Sequence, residues 1–268
     1  MKRPLLLKLA PNRWKGLIYY RFYRKQPERF APLFEKADLA LAPGCQMLSL
    51  VPTDYVSECI ALMGFFELDL SRRMVERAQS GGRLVDVGAN MGYFPLLWLS
   101  TSPRTTCLAF EPVKRNQDII RRNMIHNRFE DRLQLIPMAA GERKSTMLFD
   151  PGDEEQTGWG SLAVTDQARS YKVDVVRLDD VITDNEPIDV LKIDTEGADP
   201  LVLRGAERLL QQHQIREIFF EHNRPGLENL GLSDTEAQDF LRSHEYDVEC
   251  LDDPSARVTT WRAIPANG

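Results

Sequence analysis

The sequence predicts an α/β protein built on a doubly wound, mostly parallel sheet with an antiparallel strand pair near the C-terminus. Three observations predict this fold. From about Arg83 onward, short apolar runs alternate with helical patterns, as in βαβ units. Two later strand-like runs, 247–251 and 257–261, have no helical pattern between them. The first 80 residues are mainly helical in pattern, so we expect a helical cap at 1–80 and the sheet domain at 81–268.

The individual elements follow from apolar periodicity and from the positions of proline and glycine. Pro95 supports a helix start just past a glycine turn, because the first helical turn tolerates a missing N–H. The predicted strands cover 83–87, 106–110, 133–138, 188–193 and 217–220, and the predicted helices cover 93–100, 114–127 and 199–211. The polar stretch 150–170 lies between two strand-like runs, and a functional lid and a plain surface excursion remain equal alternatives for it.

Composition limits the classes of protein that this chain can belong to. With 268 residues, of which 43% are hydrophobic, the chain can bury one substantial core. A net charge of -6 argues against a general nucleic-acid binder, which needs clustered Lys and Arg. The four cysteines form no CxxC pair, and no apolar run approaches the ~20 residues that span a bilayer. We therefore expect a cytoplasmic protein without a disulfide framework.

Charge is concentrated at the N-terminus. Residues 1–30 contain nine Lys/Arg and one acid, a net charge of +8, so the remainder carries -14. These basic residues alternate with Leu, Trp, Tyr and Phe, as in helices that lie on anionic lipids. Lys8 interrupts the opening apolar run, which is too short for a signal peptide. Peripheral membrane contact is one interpretation; a helix that packs its apolar face on the rest of the protein is the favoured one.

The stretch LVDVGANMGYF, residues 84–94, predicts a ligand-binding turn. Parallel sheets bind ligands at the carboxyl ends of their strands, and Gly88 and Gly92 directly follow an apolar strand. A dinucleotide fingerprint needs a third glycine, so this turn fits a nucleoside without a diphosphate better. Glu111 ends the next strand, 23 positions after Gly88, where a carboxylate can accept hydrogen bonds from both ribose hydroxyls.

A third strand end adds two more carboxylates. Asp194 and Glu196 follow the predicted strand 188–193, and they are expected to face the cleft that the first two strand ends form. The alternative is that they only complement the positive end of the next helix.

Several motifs in this order resemble the FkbM-type S-adenosylmethionine-dependent methyltransferases. They are DVGANMGYF, AFEP with Asn116, VVRLDDVI, LKIDTEGADPLVLRGAERLL and IFFEH. The upstream run DYVSECIALMGFFE, with Asp54, Gly64 and Glu67, is also similar to the helical lead-in of that family. The resemblance covers roughly 54–222, and Thr195 departs from it where many relatives carry Val.

The resemblance implies a class I methyltransferase fold, with a seven-stranded Rossmann-like sheet and S-adenosylmethionine lying across the strand ends. It implies that Glu111 binds the ribose. The other cofactor-binding residues that it implies are Asp86, Gly88, Asn90 and Gly92 on the methionine side, Pro112 and Asn116 beside the ribose, and Ala139 and Ala140 against the adenine.

The resemblance also implies the reaction. Family members mostly methylate oxygen on sugars or secondary-metabolite hydroxyls, and some act on amide nitrogen. We therefore expect an O-methyltransferase for a small-molecule or glycan acceptor, namely a saccharide, a glycolipid precursor or a natural product. Two alternatives stay open: an N-methyltransferase acting on a peptide amide, and a nucleoside-binding scaffold without turnover.

An alcohol is a poor nucleophile until its proton is leaving, so a general base is expected. The candidates are Asp194, Glu196 and His222. A carboxylate beside a sulfonium keeps a low pKa, whereas a histidine has a pKa of about 6.5 and suits the task better. The alternative for His222 is a structural, hydrogen-bonded histidine.

Three further residues are candidates for acceptor contact: Glu67, Trp159 and Glu221. Trp159 lies between two glycines and can place an aromatic face over a ring-shaped acceptor, although packing against the body is as good an interpretation. A divalent metal such as Mg²⁺, bound by Asp194 and Glu196 with or without Asp179, is an alternative that is not favoured. For Asp179 itself, a solvated turn or a helix cap is the favoured interpretation.

Overall fold

A computed structural model describes residues 3–23, 27–150, 161–163 and 170–266. Its strands are β1 (Lys36–Asp38), β2 (Gln46–Leu48), β3 (Gly82–Val87), β4 (Thr105–Phe110), β5 (Leu133–Ile136), β6 (Ala139–Ala140), β7 (Ser145–Asp150), β8 (Ser161–Ala163), β9 (Tyr171–Val176), β10 (Val190–Ile193), β11 (Ile218–Asn223), β12 (Tyr246–Cys250) and β13 (Val258–Pro265).

The described α-helices alternate with these strands in the second part of the chain. They are α1 (Leu5–Leu9), α2 (Asn12–Ile18), α3 (Pro27–Glu35), α4 (Tyr55–Met63), α5 (Leu68–Ala78), α6 (Tyr93–Thr101), α7 (Lys114–Asn127), α8 (Leu178–Val181), α9 (Asp199–Arg204), α10 (Glu207–Gln211), α11 (Arg224–Leu230) and α12 (Glu236–Ser243). A π-helical turn covers Tyr19–Tyr23 and a 3₁₀ turn covers Glu130–Arg132. None of the helices in the described ranges is long and apolar enough to cross a membrane.

The central sheet has seven strands in the order β12-β13-β11-β10-β3-β4-β5. The pairs from β11 to β5 are parallel, and β13 runs antiparallel to both β11 and β12. The predicted sheet is therefore confirmed, including the antiparallel pair at one edge. The order changes direction between β3 and β10, and in doubly wound sheets ligands bind at such a switch point.

Helices cover both faces of this sheet. Leu84 and Val85 are neighbours on β3, yet Leu84 packs in a cluster with Trp98 of α6, whereas Val85 packs in another cluster with Leu203 of α9. Successive strand residues point to opposite faces, so each face has its own buried core. This double burial explains why the parallel strands appear in the sequence as continuous apolar runs.

The N-terminal region is mainly helical, as predicted, but it also contains two short strands. It contains α1 to α5, but β1 and β2 form a short antiparallel ladder between α3 and α4. Side-chain amides of α7 pair with the edge of β2: the N–H of Leu48 donates to Asn123 Oδ1 at 2.7 Å, and the N–H of Gln46 donates to Asn127 Oδ1 at 2.9 Å. Phe30 and Met47 share a buried cluster with Leu97 of α6, so the region packs on one face of the sheet domain. A domain boundary near residue 80 stays a prediction.

A second sheet, in the order β6-β9-β7-β8, was not predicted. The predicted strand 133–138 ends at Ile136, and the chain then enters this second sheet through β6. The predicted helix 199–211 is interrupted at Gly205, where a Cβ would clash with the carbonyl oxygen of Gly141. The second sheet thus packs against the helical layer beside the carboxyl ends of the central strands.

Candidate active site

A cavity of about 740 Å³ lies where β3, β4, β10 and β11 end. Its volume falls within the range of small-molecule sites. The residues predicted from the sequence that line it are Glu67, Gly88, Asn90, Glu111, Pro112, Asn116, Ala139, Ala140, Asp194, Glu196 and Glu221. Three predicted residues, Asp86, Gly92 and His222, are not part of its lining. Trp159 lies outside the described residues.

Glu111 is held at the end of β4 by backbone amides. Its Oε2 accepts from the N–H of Asn90 at 2.8 Å, and its Oε1 accepts from the N–H of Val113 at 2.8 Å. Asn90 adopts a left-handed conformation, with φ of 48°, which brings its amide to the carboxylate. Burial raises the pKa of Glu111 to about 8, although the two amides oppose that rise. Each carboxylate oxygen retains a lone pair for a ligand hydroxyl.

The glycines of the first turn are required by packing. Gly88 has φ of 81°, and a Cβ on it would clash with the carbonyl oxygen of Asp194. Gly92 precedes α6 with φ of 84°, and a Cβ there would lie 3.1 Å from Ile120 Cγ1. Gly88 therefore lets the turn after β3 contact the turn after β10, whereas Gly92 lets α6 begin close to α7.

The cavity lining around Glu111 contains apolar side chains and two hydrogen-bond acceptors that have no donor among the described residues. Val113, Met138 and Phe149 line this half of the cavity. Among the described residues, neither Asn90 Oδ1 nor Asn116 Oδ1 has a hydrogen-bond partner, although both atoms are buried. A buried acceptor without a donor is costly. This half therefore fits a ligand with an apolar ring and several O–H or N–H donors, as a nucleoside has.

The other half of the cavity contains a buried lysine that sequence reasoning missed. Lys192 lies within β10, is 3% exposed, and donates from Nζ to Asp194 Oδ2 at 3.0 Å. The same Nζ lies 3.7 Å from Asp86 Oδ1 and 4.8 Å from the centroid of the Phe94 ring. Burial favours loss of its proton, but attraction by Asp194 and Asp86 outweighs burial and raises the pKa of Lys192. Asp86 therefore lies beside Lys192 as its partner and is not part of the cavity lining, and its role in cofactor binding stays a prediction.

Three carboxylates converge beside Lys192. One oxygen from each of Asp194, Glu196 and Glu221 lies within 4.8 Å of the other two. Asn223 Nδ2 donates to Glu196 Oε2 at 2.6 Å and to Glu221 Oε1 at 3.2 Å. Burial, followed by repulsion from Asp194, raises the pKa of Glu196 to about 8 and that of Glu221 well above its ordinary value. Oxygen ligands of this kind suit a hard cation, although Asn223 already places a donor between two of them.

Asp199 holds the loops that carry these carboxylates. It is 1% exposed, and its Oδ2 accepts from Thr195 Oγ1 at 2.6 Å while its Oδ1 accepts from the N–H of Glu221 at 3.0 Å. Gly197 contacts Gly226 so closely that a Cβ on Gly197 would lie 2.5 Å from the Gly226 carbonyl carbon. Glu196, between these contacts, adopts φ of 54°. The turn after β10 is thus tied to β11 and to α11.

The N-terminal region contributes Glu67 to the same half. This residue precedes α5 with φ of 40° and lines the cavity. Solvent reaches much of its side chain, yet the concave surroundings remove part of its hydration. That loss of hydration, followed by repulsion from Asp194, raises the pKa of Glu67 to about 7. The acid-rich half is therefore completed by a segment outside the central sheet.

His222 is directed away from the cavity. Its Nε2 lies 3.0 Å from Asp234 Oδ1, its Nδ1 lies 3.3 Å from Gln238 Nε2, and its ring packs at the edge of Trp261. Because neighbouring residues in a strand point to opposite faces, Glu221 faces the cavity and His222 packs against α12. The geometry thus supports the structural alternative for this histidine.

Asp179 caps a helix and is not part of the cavity lining. Its side chain accepts from the N–H groups of Arg208 at 3.0 Å and Leu209 at 3.2 Å, at the start of α10. The helix-cap interpretation is confirmed, and Glu221 takes the place beside Asp194 and Glu196 that was considered for Asp179.

The chain matches known proteins over this same region. The model of the methyltransferase FkbM domain matches residues 86–248. AMB antimetabolite synthetase AmbE of Pseudomonas aeruginosa is 27% identical over 211 residues, covering 63% of this chain and 10% of that protein. Methyltransferase 1 of Beauveria bassiana is 28% identical over 147 residues, covering 46% of this chain and 58% of that protein. The chain thus matches only part of each relative's length.

A crystal structure of methyltransferase FkbM from Methylobacillus flagellatus superposes with a TM-score of 0.49 at 15% identity, covering 94% of this chain and 60% of that one. The family model spans more than half of the 268 residues, and it includes the strand ends that carry Gly88, Glu111, Asp194 and Glu221. The chain belongs to the FkbM methyltransferase family.

Proposed function

We propose that this protein is an S-adenosylmethionine-dependent O-methyltransferase that acts on a hydroxyl of a saccharide, a glycolipid precursor or a natural product. One observation carries the proposal: a single cavity joins a half suited to a nucleoside with a half lined by carboxylates. Family membership supports methyl transfer as the reaction.

The residues at the strand ends fit the cofactor. Glu111 has lone pairs for both ribose hydroxyls, and Asn116 offers a free buried acceptor beside it. Ala139, Ala140, Gly88 and Asn90 all line the cavity. In this proposal the two small alanines leave room for the adenine, and Gly88 and Asn90 contact the methionine end. When bound, the cofactor supplies an electrophilic methyl group on a positively charged sulfur.

The carboxylates fit a hydroxylated acceptor. Glu67, Glu196 and Glu221 reach the cavity from three different segments, and each accepts hydrogen bonds when ionised. Several acceptors spaced around one cavity match the several hydroxyls of a saccharide ring. In this proposal they would hold one hydroxyl oxygen in line with the methyl group, which needs an approach of about 3 to 3.5 Å.

Glu196 is the residue that we assign as general base. A base works best when its pKa lies near the working pH, and burial with neighbouring acids raises the pKa of Glu196 to about 8. Asn223 holds the Glu196 carboxylate through one oxygen, so the other oxygen is available to the acceptor hydroxyl. Lys192 offsets the negative charge that remains on Asp194.

In the proposed mechanism, methyl transfer requires no metal ion. Asn223 donates from Nδ2 to both Glu196 and Glu221, so a hydrogen-bond donor already contacts these two acids. The side-chain amide of Asn223 thus already offsets part of the negative charge of the two carboxylates. A methyl transfer assay with and without a chelator is expected to give equal rates.

The experiment combines calorimetry with a transfer assay on the full chain. We expect S-adenosylmethionine to bind, and we expect label from its methyl group to enter a base-stable ether in fractionated saccharide and glycolipid extracts. Absence of binding would overturn the cofactor assignment. Binding without transfer to any acceptor pool would support a scaffold, and label in a peptide amide would support N-methylation.

A further inference from the structure

The amphipathic N-terminal segment, residues 5–22, is fastened to the body by a few side chains. Arg3, just before it, donates from Nε to the carbonyl of Ala61 at 3.0 Å and from Nη2 to that of Ile60 at 2.9 Å. Leu7 is 1% exposed, and Tyr19 donates from its hydroxyl to Glu58 Oε1 at 3.1 Å. These contacts fix one side of the segment on α4.

The other side presents large apolar side chains to solvent. Six of the ten exposed large hydrophobic residues in the described part of the chain belong to this segment: Leu5 (70%), Leu6 (51%), Leu9 (75%), Trp14 (54%), Leu17 (72%) and Phe22 (58%). Single exposed apolar residues are common on soluble proteins, but several of them within one short segment indicate an interaction site. The favoured expectation, that the apolar face packs on the body, therefore holds for Leu7 and Tyr19 and not for these six.

Basic residues share the surface with these apolar side chains. Lys8 and Arg21 are exposed between them, and residues 1–30 as a whole carry +8 against -14 in the remainder. An apolar partner alone would not require this charge, and an anionic partner alone would not require six exposed apolar side chains. A surface that is both anionic and apolar satisfies both requirements, as the headgroup region of a bilayer with acidic lipids does.

The segment contacts a helix that also borders the cavity. It packs on α4, and the residues that begin α4, Tyr55 and Val56, line the cavity. The acidic remainder would be repelled by an anionic surface, so contact through this segment alone also sets the orientation of the protein.

We infer that residues 5–22 dock on the surface of an anionic lipid bilayer, with the exposed leucines, Trp14 and Phe22 inserted among the headgroups and Lys8 and Arg21 paired with lipid phosphates. This docking is independent of the methyl acceptor and of the proposed reaction. It concerns a segment that contributes no residue to the cavity lining.

Co-sedimentation of the full chain with vesicles tests the inference. The protein is expected to bind vesicles of phosphatidylglycerol and phosphatidylcholine, and to bind pure phosphatidylcholine vesicles more weakly. Leu9→Glu and, separately, Leu17→Glu are expected to lower the partition coefficient by about tenfold, because each replaces inserted apolar surface with a charge that the lipid repels. Raising the salt concentration is expected to weaken binding as well.

Ile125→Glu is the matched control, since Ile125 is 62% exposed on α7, outside the segment. It introduces the same charge and is expected to leave vesicle binding unchanged. Thermal melting verifies that all variants fold. Equal vesicle binding by Leu9→Glu, Leu17→Glu and the parent protein would overturn the inference. If the parent protein instead forms dimers in the absence of vesicles, and Leu9→Glu dissociates them, the inference is overturned. The segment would then contact a second copy of the chain.

Discussion

The two halves of the cavity stabilise their carboxylates in different ways. Glu111 is the carboxylate of the nucleoside half, and two backbone amides contact it. In the other half Asp194, Glu196 and Glu221 face one another, and a side-chain amide and one buried ammonium, from Asn223 and Lys192, offset their charge.

The nucleoside half is therefore a preorganised binding site, whereas the protonation of the other half depends on the charges within it. Backbone donors are fixed by the fold and do not change with pH, so the nucleoside half keeps its shape across conditions. Mutual repulsion among acids changes with each proton gained or lost, so the other half responds to pH and to the charge of what it binds. A reaction that moves a proton needs the second kind of environment.

The largest expected effect comes from Glu196→Gln. If Glu196 takes the acceptor proton, its loss is expected to lower kcat by about 10²- to 10⁴-fold while the affinity for S-adenosylmethionine stays unchanged. Single-turnover kinetics and calorimetry measure the two quantities. Glu228→Gln, at an exposed position of α11, is the control. A variant that retains full kcat would remove Glu196 as the base.

Lys192→Met is expected to destabilise the protein by about 3 to 5 kcal/mol, because it leaves the buried Asp86 and the partly exposed Asp194 without their cation. Urea unfolding measures this change. Lys114→Met, at a lysine whose side chain is 75% exposed and paired with Asp118, serves as control and is expected to cost less than about 1 kcal/mol. Equal costs for the two variants would show that the buried lysine has no special role.

The pH profile tests the carboxylate half, and Glu196→Gln distinguishes it from Glu111, whose pKa is also raised to about 8. A general base acts in its deprotonated form, and the pKa of Glu196 is raised to about 8. The value of kcat/KM is therefore expected to rise with pH through that range, by roughly tenfold per unit on the acidic side, and to level off above it. Glu196→Gln is expected to flatten this rise. A profile that is flat in the parent enzyme would contradict the assignment.

Glu111→Ala is expected to weaken S-adenosylmethionine binding by about 1 to 3 kcal/mol through the loss of hydrogen bonds to the ribose hydroxyls. Calorimetry gives the affinity, and Glu130→Ala at an exposed position controls for the loss of a carboxylate. Unchanged affinity would mean that Glu111 is not the ribose partner.

The smallest effect is expected for His222→Gln. This residue is 4% exposed and bonds Asp234 and Gln238 away from the cavity. The expected cost is about 0.5 to 1.5 kcal/mol of unfolding free energy with an unchanged kcat. A large fall in kcat in a folded variant would return His222 to the list of candidate bases.

The sequence allowed the sheet and three strand ends to be predicted, because buried parallel strands are continuous apolar runs and their polar residues follow directly. Gly88, Glu111 and Asp194 were found in this way, and the cavity brings them together. The sheet β6-β9-β7-β8 was missed because it depends on pairing between distant short strands, such as Ala139 with Val175.

Two features of the site had signals in the sequence that the predictions did not use. Glu221 and His222 are adjacent in a strand, so the two-residue period already implied that only one of them faces the cleft. Lys192 interrupts an apolar run whose four residues are all buried, and a charge in such a strand needs partners. Asp199 and Asn223 gave no such signal, because their contacts depend on how the turns after β10 and β11 meet.

The contact between Gly88 and the carbonyl of Asp194 has a mechanical consequence. Each of the two turns borders a different half of the cavity, and they touch with no side chain between them. A shift of either turn must therefore move the other, since no flexible group lies between them to absorb it. We therefore expect occupation of one half to displace backbone in the other, so that the two ligands influence each other's affinity reciprocally.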